Sequence, residues 1–168
     1  LLNELVKNPL YVPPRDDDVV ALIGYPQKQA AVSAEHVRDV DYESMKEVEV
    51  FLRTLPLSAV DRTGADLWVL VRRMCWMVSP APVRLLTQVS DNPLEVWSWN
   101  RTKLCEELEV KGFLGIASDH REYYMAGWRL FLSDFRDSEV YREVLTYGYK
   151  VLKASHEAIG EVRNKGNP

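Results

Sequence analysis

The sequence predicts an all-α fold: one compact domain of five or six helices, preceded by an extended, proline-containing N-terminal arm. Three observations point there. From residue 42 onward, apolar side chains recur at three- and four-residue steps, the spacing of one helix face, beginning with Met45, Val48, Phe51, Leu52 and Leu55. Prolines, glycines and Asp, Ser or Asn caps then cut the chain into helix-length pieces. The short stretch "VVALIG" at 19–24 is the one strand candidate, and at that length it could equally be a buried turn of helix. With 168 residues, 46% apolar and 27% charged, the chain suits a single globular domain that buries about 70% of its unfolded surface. The expected division is an arm at 1–41, a helical domain at 42–162 and a frayed tail at 163–168.

Residues 1–7 could make one or two helical turns. The connector "NPLYVPPRDDD" follows, where Pro9, Pro13 and Pro14 remove donors and push their neighbours out of helix. Gly24-Tyr25-Pro26 ends "VVALIG", and residues 27–38 have moderate helix propensity. Pro56 is expected to close the helix that starts near 42. A second helix spans about 62–79, ended by Ser79-Pro80, and a short one follows at 81–89. Ser90 or Asp91 then caps a helix from 93 to about 111, with Pro93 in its first turn. Gly112 and Gly115 bracket a connector. Asp119 and Glu122 have capping-box spacing and are expected to open a helix over 119–135. Asp137 or Ser138 caps the last long helix, which runs to about 160.

Helical wheels assign the faces. In the second helix Leu67, Val71, Met74, Cys75 and Val78 form the core stripe, with Trp68 at its margin. The opposite side carries Arg62, Val69, Arg72, Arg73 and Trp76, where both central arginines can reach the indole. In the helix at 93–111, Leu94, Trp97, Leu104, Cys105 and Leu108 form the core stripe, leaving Val96, Trp99 and Lys103 away from it. The stretch "SDHREYYMAGWRLFLSDF" is apolar except for a strip of Glu122, Ala126, Arg129 and Ser133, which predicts a central helix surrounded by the others. In the last helix, Gly148 and Ser155 sit mid-face, as expected where another helix approaches closely.

The chemistry is sparse. His36, His120 and His156 lack metal-binding spacing, and no phosphate-binding glycine loop or nucleophile motif is present. The cluster Asp119-His120-Arg121-Glu122 reads as helix capping first and as a catalytic site near His120 second. Cys75 and Cys105 read as two buried thiols in a reducing compartment, not a disulfide or zinc pair. A Cys–His pair would require one of these stripe cysteines to be exposed. Asp16-Asp17-Asp18 lacks the alternating ligands of a calcium loop. Asn100-Arg101-Thr102 is a chance sequon if no secretory signal exists. No cofactor and no metal site are expected.

Net charge is −4, unevenly placed: −5 over 1–66, +3 over 67–105, −3 over 106–137 and +1 over 138–168. The basic island holds Arg72, Arg73, Arg84, Arg101 and Lys103. These five residues define the nucleic-acid alternative, in which phosphates meet cations and bases stack on tryptophans. The preferred expectation is a non-enzymatic assembly or protein-interaction domain: a scaffold, an adaptor, or a subunit of a viral or cellular structural layer. It would contact a partner or another copy through Val69, Arg72, Arg73 and Trp76, with Trp99 and Lys103 as secondary candidates. Tyr11-Val12-Pro13-Pro14 of the arm could pack along a neighbouring subunit or serve as a peptide ligand. No membrane span is expected, and the location is expected to be intracellular, in the cytoplasm. The start at Leu1 suggests a processed chain that could hide a targeting segment.

Overall fold

The computed structural model describes residues 33–166. The expectations for 1–32, including the proline connector and the 19–24 stretch, lie outside the described residues. Within them all regular structure is helical. Helix α1 spans Ala34–Val60, α2 Ala65–Val78, α3 Ala81–Val89, the one-turn α4 Pro93–Val96, α5 Arg101–Val110, α6 Leu114–Leu132 and α7 Ser138–Gly166.

Helix α1 begins eight residues before the expected start, because Ser33 is an effective cap whose side chain accepts the His36 N–H at 3.1 Å. Val37 and Val40 extend the buried stripe of Met45, Val48, Phe51 and Leu55 backward by two turns. Pro56 does not close the helix, which continues to Val60. Leu55 and Ala59 pack into the core on either side of it, and that burial outweighs the missing hydrogen bond.

The second and third helices lie within a few residues of their expected bounds. The expected helix at 93–111 is broken instead. Asn100 accepts the Lys103 N–H at 2.9 Å and starts α5 afresh, so the wheel loses its phase across residues 97–100. Val96 is therefore fully buried, and Leu94 and Trp97 are substantially exposed, the reverse of the expected stripe; Leu104, Cys105 and Leu108 are buried as expected. Helix α5 ends in a Schellman turn. Gly112 takes φ 86°, the Phe113 N–H reaches the Leu108 carbonyl at 2.7 Å, and the Gly112 N–H reaches that of Glu109 at 3.0 Å.

Helix α6 starts at Leu114, so the Asp119–Glu122 pair lies inside the helix and caps nothing. Asp119 lies 3.9 Å from Lys150 instead. Nor is α6 central. Ala126, placed on the polar strip by the wheel, is buried, whereas Met125, Trp128, Phe131 and Leu132 are exposed. The central element is α7, which packs against α1, α2, α3 and α6. Asp137 caps it as expected, accepting the N–H groups of Glu139 and Val140 at 2.9 and 3.2 Å. It continues to Gly166, through the first part of the tail expected to fray. Gly148 does mark a close approach: a Cβ there would lie 2.7 Å from Met74 Cγ and 3.2 Å from Tyr123 Cε2.

Candidate functional site

Helix α2 presents its ridge outward. Val69, Arg72, Arg73 and Trp76 are all exposed, Trp76 by 77%. The ridge is less unified than the wheel implies. The Arg73 guanidinium lies 5.0 Å from the centroid of Phe51 on α1. Trp99 is half-buried and forms a local cluster. Its Nε1 donates to Glu95 at 3.3 Å, and Lys103 Nζ stands 4.5 Å over its ring and 3.4 Å from the same carboxylate.

The basic island is not gathered on one face. Arg84 is half-buried; burial pulls its pKa down, and the Asp41 and Glu47 carboxylates push it up, Asp41 the more strongly. Arg101 Cζ stacks 3.8 Å above the Tyr124 ring. Lys103 serves Glu95. Arg72, Arg73 and Arg101 are the members with no carboxylate partner among the described residues.

Cys75 departs from its assigned place. It is exposed, and the Tyr123 hydroxyl donates to its Sγ at 3.0 Å. Cys105 is buried as expected, and its Sγ lies 3.4 Å from His120 Nδ1. His120 is buried too, edge-on to Tyr124 at 4.8 Å, and its Nε2 meets no hydrogen-bond partner among the described residues. Burial, with help from Arg101 and Arg121, pushes the imidazole down to about 4. Burial pushes the Cys105 thiol up. Both shifts favour a neutral pair, whereas nucleophilic catalysis needs a thiolate beside an imidazolium.

A cleft of about 330 Å³ lies between α2 and α6. Trp68, Val71, Cys75 and Ser79 form its α2 wall; Tyr123, Tyr124 and Trp128 form the α6 wall; Arg101 and Phe135 also line it. The turn after α6 puts Phe135 there. Asp134 and Phe135 adopt φ of 53° and 56°, left-handed values that non-glycine residues take at a cost of about 1 kcal/mol or more each. The Phe135 N–H bonds the Leu130 carbonyl at 3.1 Å, and its own carbonyl accepts from Tyr141 Oη at 3.0 Å. These two bonds hold its ring against Trp68, at a centroid distance of 4.7 Å.

From there the rings form a chain. Phe135 meets Phe131 at 6.0 Å, and Phe131 stacks on Trp128 at 5.4 Å. All four are exposed, Trp128 by 58% and Phe131 by 55%. Helical geometry places Arg72 about 40° and Trp76 about 80° around α2 from Trp68, so the expected ridge adjoins this aromatic surface on its far side. The wheel of α6 had placed Trp128 and Phe131 inside the core. The signal that could have exposed them is the apolar character of nearly the whole α6 circumference, which is more than its neighbours can cover.

Among the described residues, no helix is long and apolar enough to cross a membrane, and no His, Cys, Asp and Glu cluster could hold a metal ion. The chain matches no protein-family model, and no curated protein or solved structure is similar to it.

Proposed function

We propose that the protein is a non-enzymatic helical assembly domain that meets another protein, most directly a second copy of itself, through the outer faces of α2 and α6. The observation that carries this reading is the chain of four exposed rings, Trp68, Phe135, Phe131 and Trp128. Exposed apolar patches of this kind on soluble domains mark contact surfaces, and Trp and Arg are the residues most enriched at their energetic centres. Strain in the Asp134–Phe135 turn supports it, since such conformations cluster at functional sites. The dispersal of Arg73, Arg84 and Lys103 onto intramolecular partners argues against a phosphate-tracking surface.

Light scattering tests the reading. The expected result is a mass that rises with concentration in the wild-type chain and falls toward the monomer in Phe131→Glu and Trp76→Ala. A monomer mass at every concentration, unchanged by either substitution, overturns it.

A further inference from the structure

We infer that the aromatic cleft seats the chain's own N-terminal stretch Tyr11-Val12-Pro13-Pro14-Arg15-Asp16-Asp17-Asp18. The cleft combines an aromatic bed with a cation that lacks an acid. Arg101 stacks on Tyr124 at 3.8 Å and has no carboxylate partner among the described residues. Arg72, likewise without a carboxylate partner there, stands about 40° around α2 from Trp68. A complementary occupant therefore carries an aromatic or branched apolar group with carboxylates shortly after it.

The sequence supplies that order. Tyr11 and Val12 come first, two prolines and Arg15 follow, and then comes the longest acidic run in the chain, which leaves the stretch with a net charge of −2. Prolines favour the extended conformation that lies along aromatic grooves at low entropic cost. From Tyr11 to Asp16 an extended chain covers about 16 Å, and Trp68 to Ser79 covers about 16 Å along the α2 wall. The tether also reaches. The first turns of α1 lie beside the end of α7, where Arg163 pairs with Asp39 at 2.9 Å, and Val144 of the same helix lines the cleft. Those two points on α7 are about 28 Å apart, whereas residues 18–33 can extend about 50 Å. The seat holds whether or not the wider surface meets a second protein.

Cys75 is a built-in reporter, because it lines the cleft while Cys105 is buried. The experiment measures labelling of Cys75 by a maleimide in the full chain, read by mass spectrometry. The comparison chains are the triple variant Asp16→Asn, Asp17→Asn, Asp18→Asn and the single variant Tyr11→Ala. With about 1 mM effective concentration from the tether and a Kd of about 0.1 mM, the seated stretch slows labelling about tenfold. Both variants are expected to lose most of that protection, and a synthetic peptide of residues 9–20 added at millimolar concentration restores it. Equal Cys75 rates in all three chains, or a peptide without effect on the variants, overturn the inference. Protection that grows with protein concentration overturns the same-chain placement.

Discussion

Toward its C-terminal end α7 passes side chains that satisfy one another, while near its first turns, by Val144, aromatic rings lie open to solvent. At the closed end Arg163 donates to Gln88 at 2.8 Å and pairs with Asp39. Gln88 donates to the Arg38 carbonyl at 3.1 Å, and Arg38 in turn donates to the carbonyls of Thr87 and Ser90. Beneath them the buried Asp41 accepts from Thr87 Oγ1 at 2.7 Å and from Trp97 Nε1 at 3.2 Å. Even the exposed Trp97 is tied to the fold through its N–H. At the open end Trp68, Phe135, Phe131 and Trp128 meet in a chain of rings that stays exposed. The difference separates two reasons for placing a tryptophan near a surface: one closes the fold, and the other leaves it unfinished.

The sharpest way to break this contrast is to open the closed end. Asp41→Ala leaves Trp97 Nε1 without its acceptor and removes the carboxylate that acts most strongly on Arg84. A loss of about 4 kcal/mol is expected in denaturant titration. A loss under 1 kcal/mol would mean that the network does not hold α1, α3 and α4 together.

The next effect comes from His120. Its pKa is about 4 in the fold against an ordinary 6.5, so the unfolded chain takes up the proton first as pH falls. The stabilisation is therefore complete above pH 6.5 and is lost as pH falls toward 4, a loss of about 3 kcal/mol. Asp41 opposes this at the acid end, since burial raises its carboxyl above 3.8. His120→Gln should flatten the fall in melting temperature between pH 6.5 and 4; an unchanged slope would assign that fall to other groups.

Smaller again is Gly148→Ala. The added methyl gains about 1 kcal/mol of helix propensity but must displace Met74, which is fully buried. A net loss of about 1 kcal/mol is expected, and a gain would show that Met74 has room to move. The smallest folding effect belongs to the open end: Trp128→Ala should change stability by no more than about 0.5 kcal/mol while weakening self-association. A large stability loss would make Trp128 a core residue after all.

Much of the architecture is legible because local chemistry settles it. The stripe Met45–Leu55, the Asp137 cap and the groove at Gly148 follow from spacing, capping and side-chain size. The exposed ridge at Val69, Arg72 and Trp76 follows from the wheel of α2. What the wheel cannot supply is the number of neighbours a helix has. Helix α6 is apolar almost all round, and its exposed rings therefore read as a buried centre. Phase is the second gap: Asn100 restarts the helix, and that one cap reverses the placements of Val96 and Trp97. The third gap is long range. Asp41 meets Thr87 and Trp97 across about fifty residues of sequence, and no local pattern announces that meeting.

Hydroxyl-radical footprinting of the full chain across a dilution series compares both ends in one sample. If the open end is a protein contact surface, oxidation of Trp76, Trp128 and Phe131 falls as concentration rises, while Trp97 and Tyr42, whose ring lies 5.0 Å under Arg163 at the closed end, stay constant. Oxidation of Trp128 and Phe131 that is the same at every concentration, or protection confined to Trp97 and Tyr42, would contradict the account.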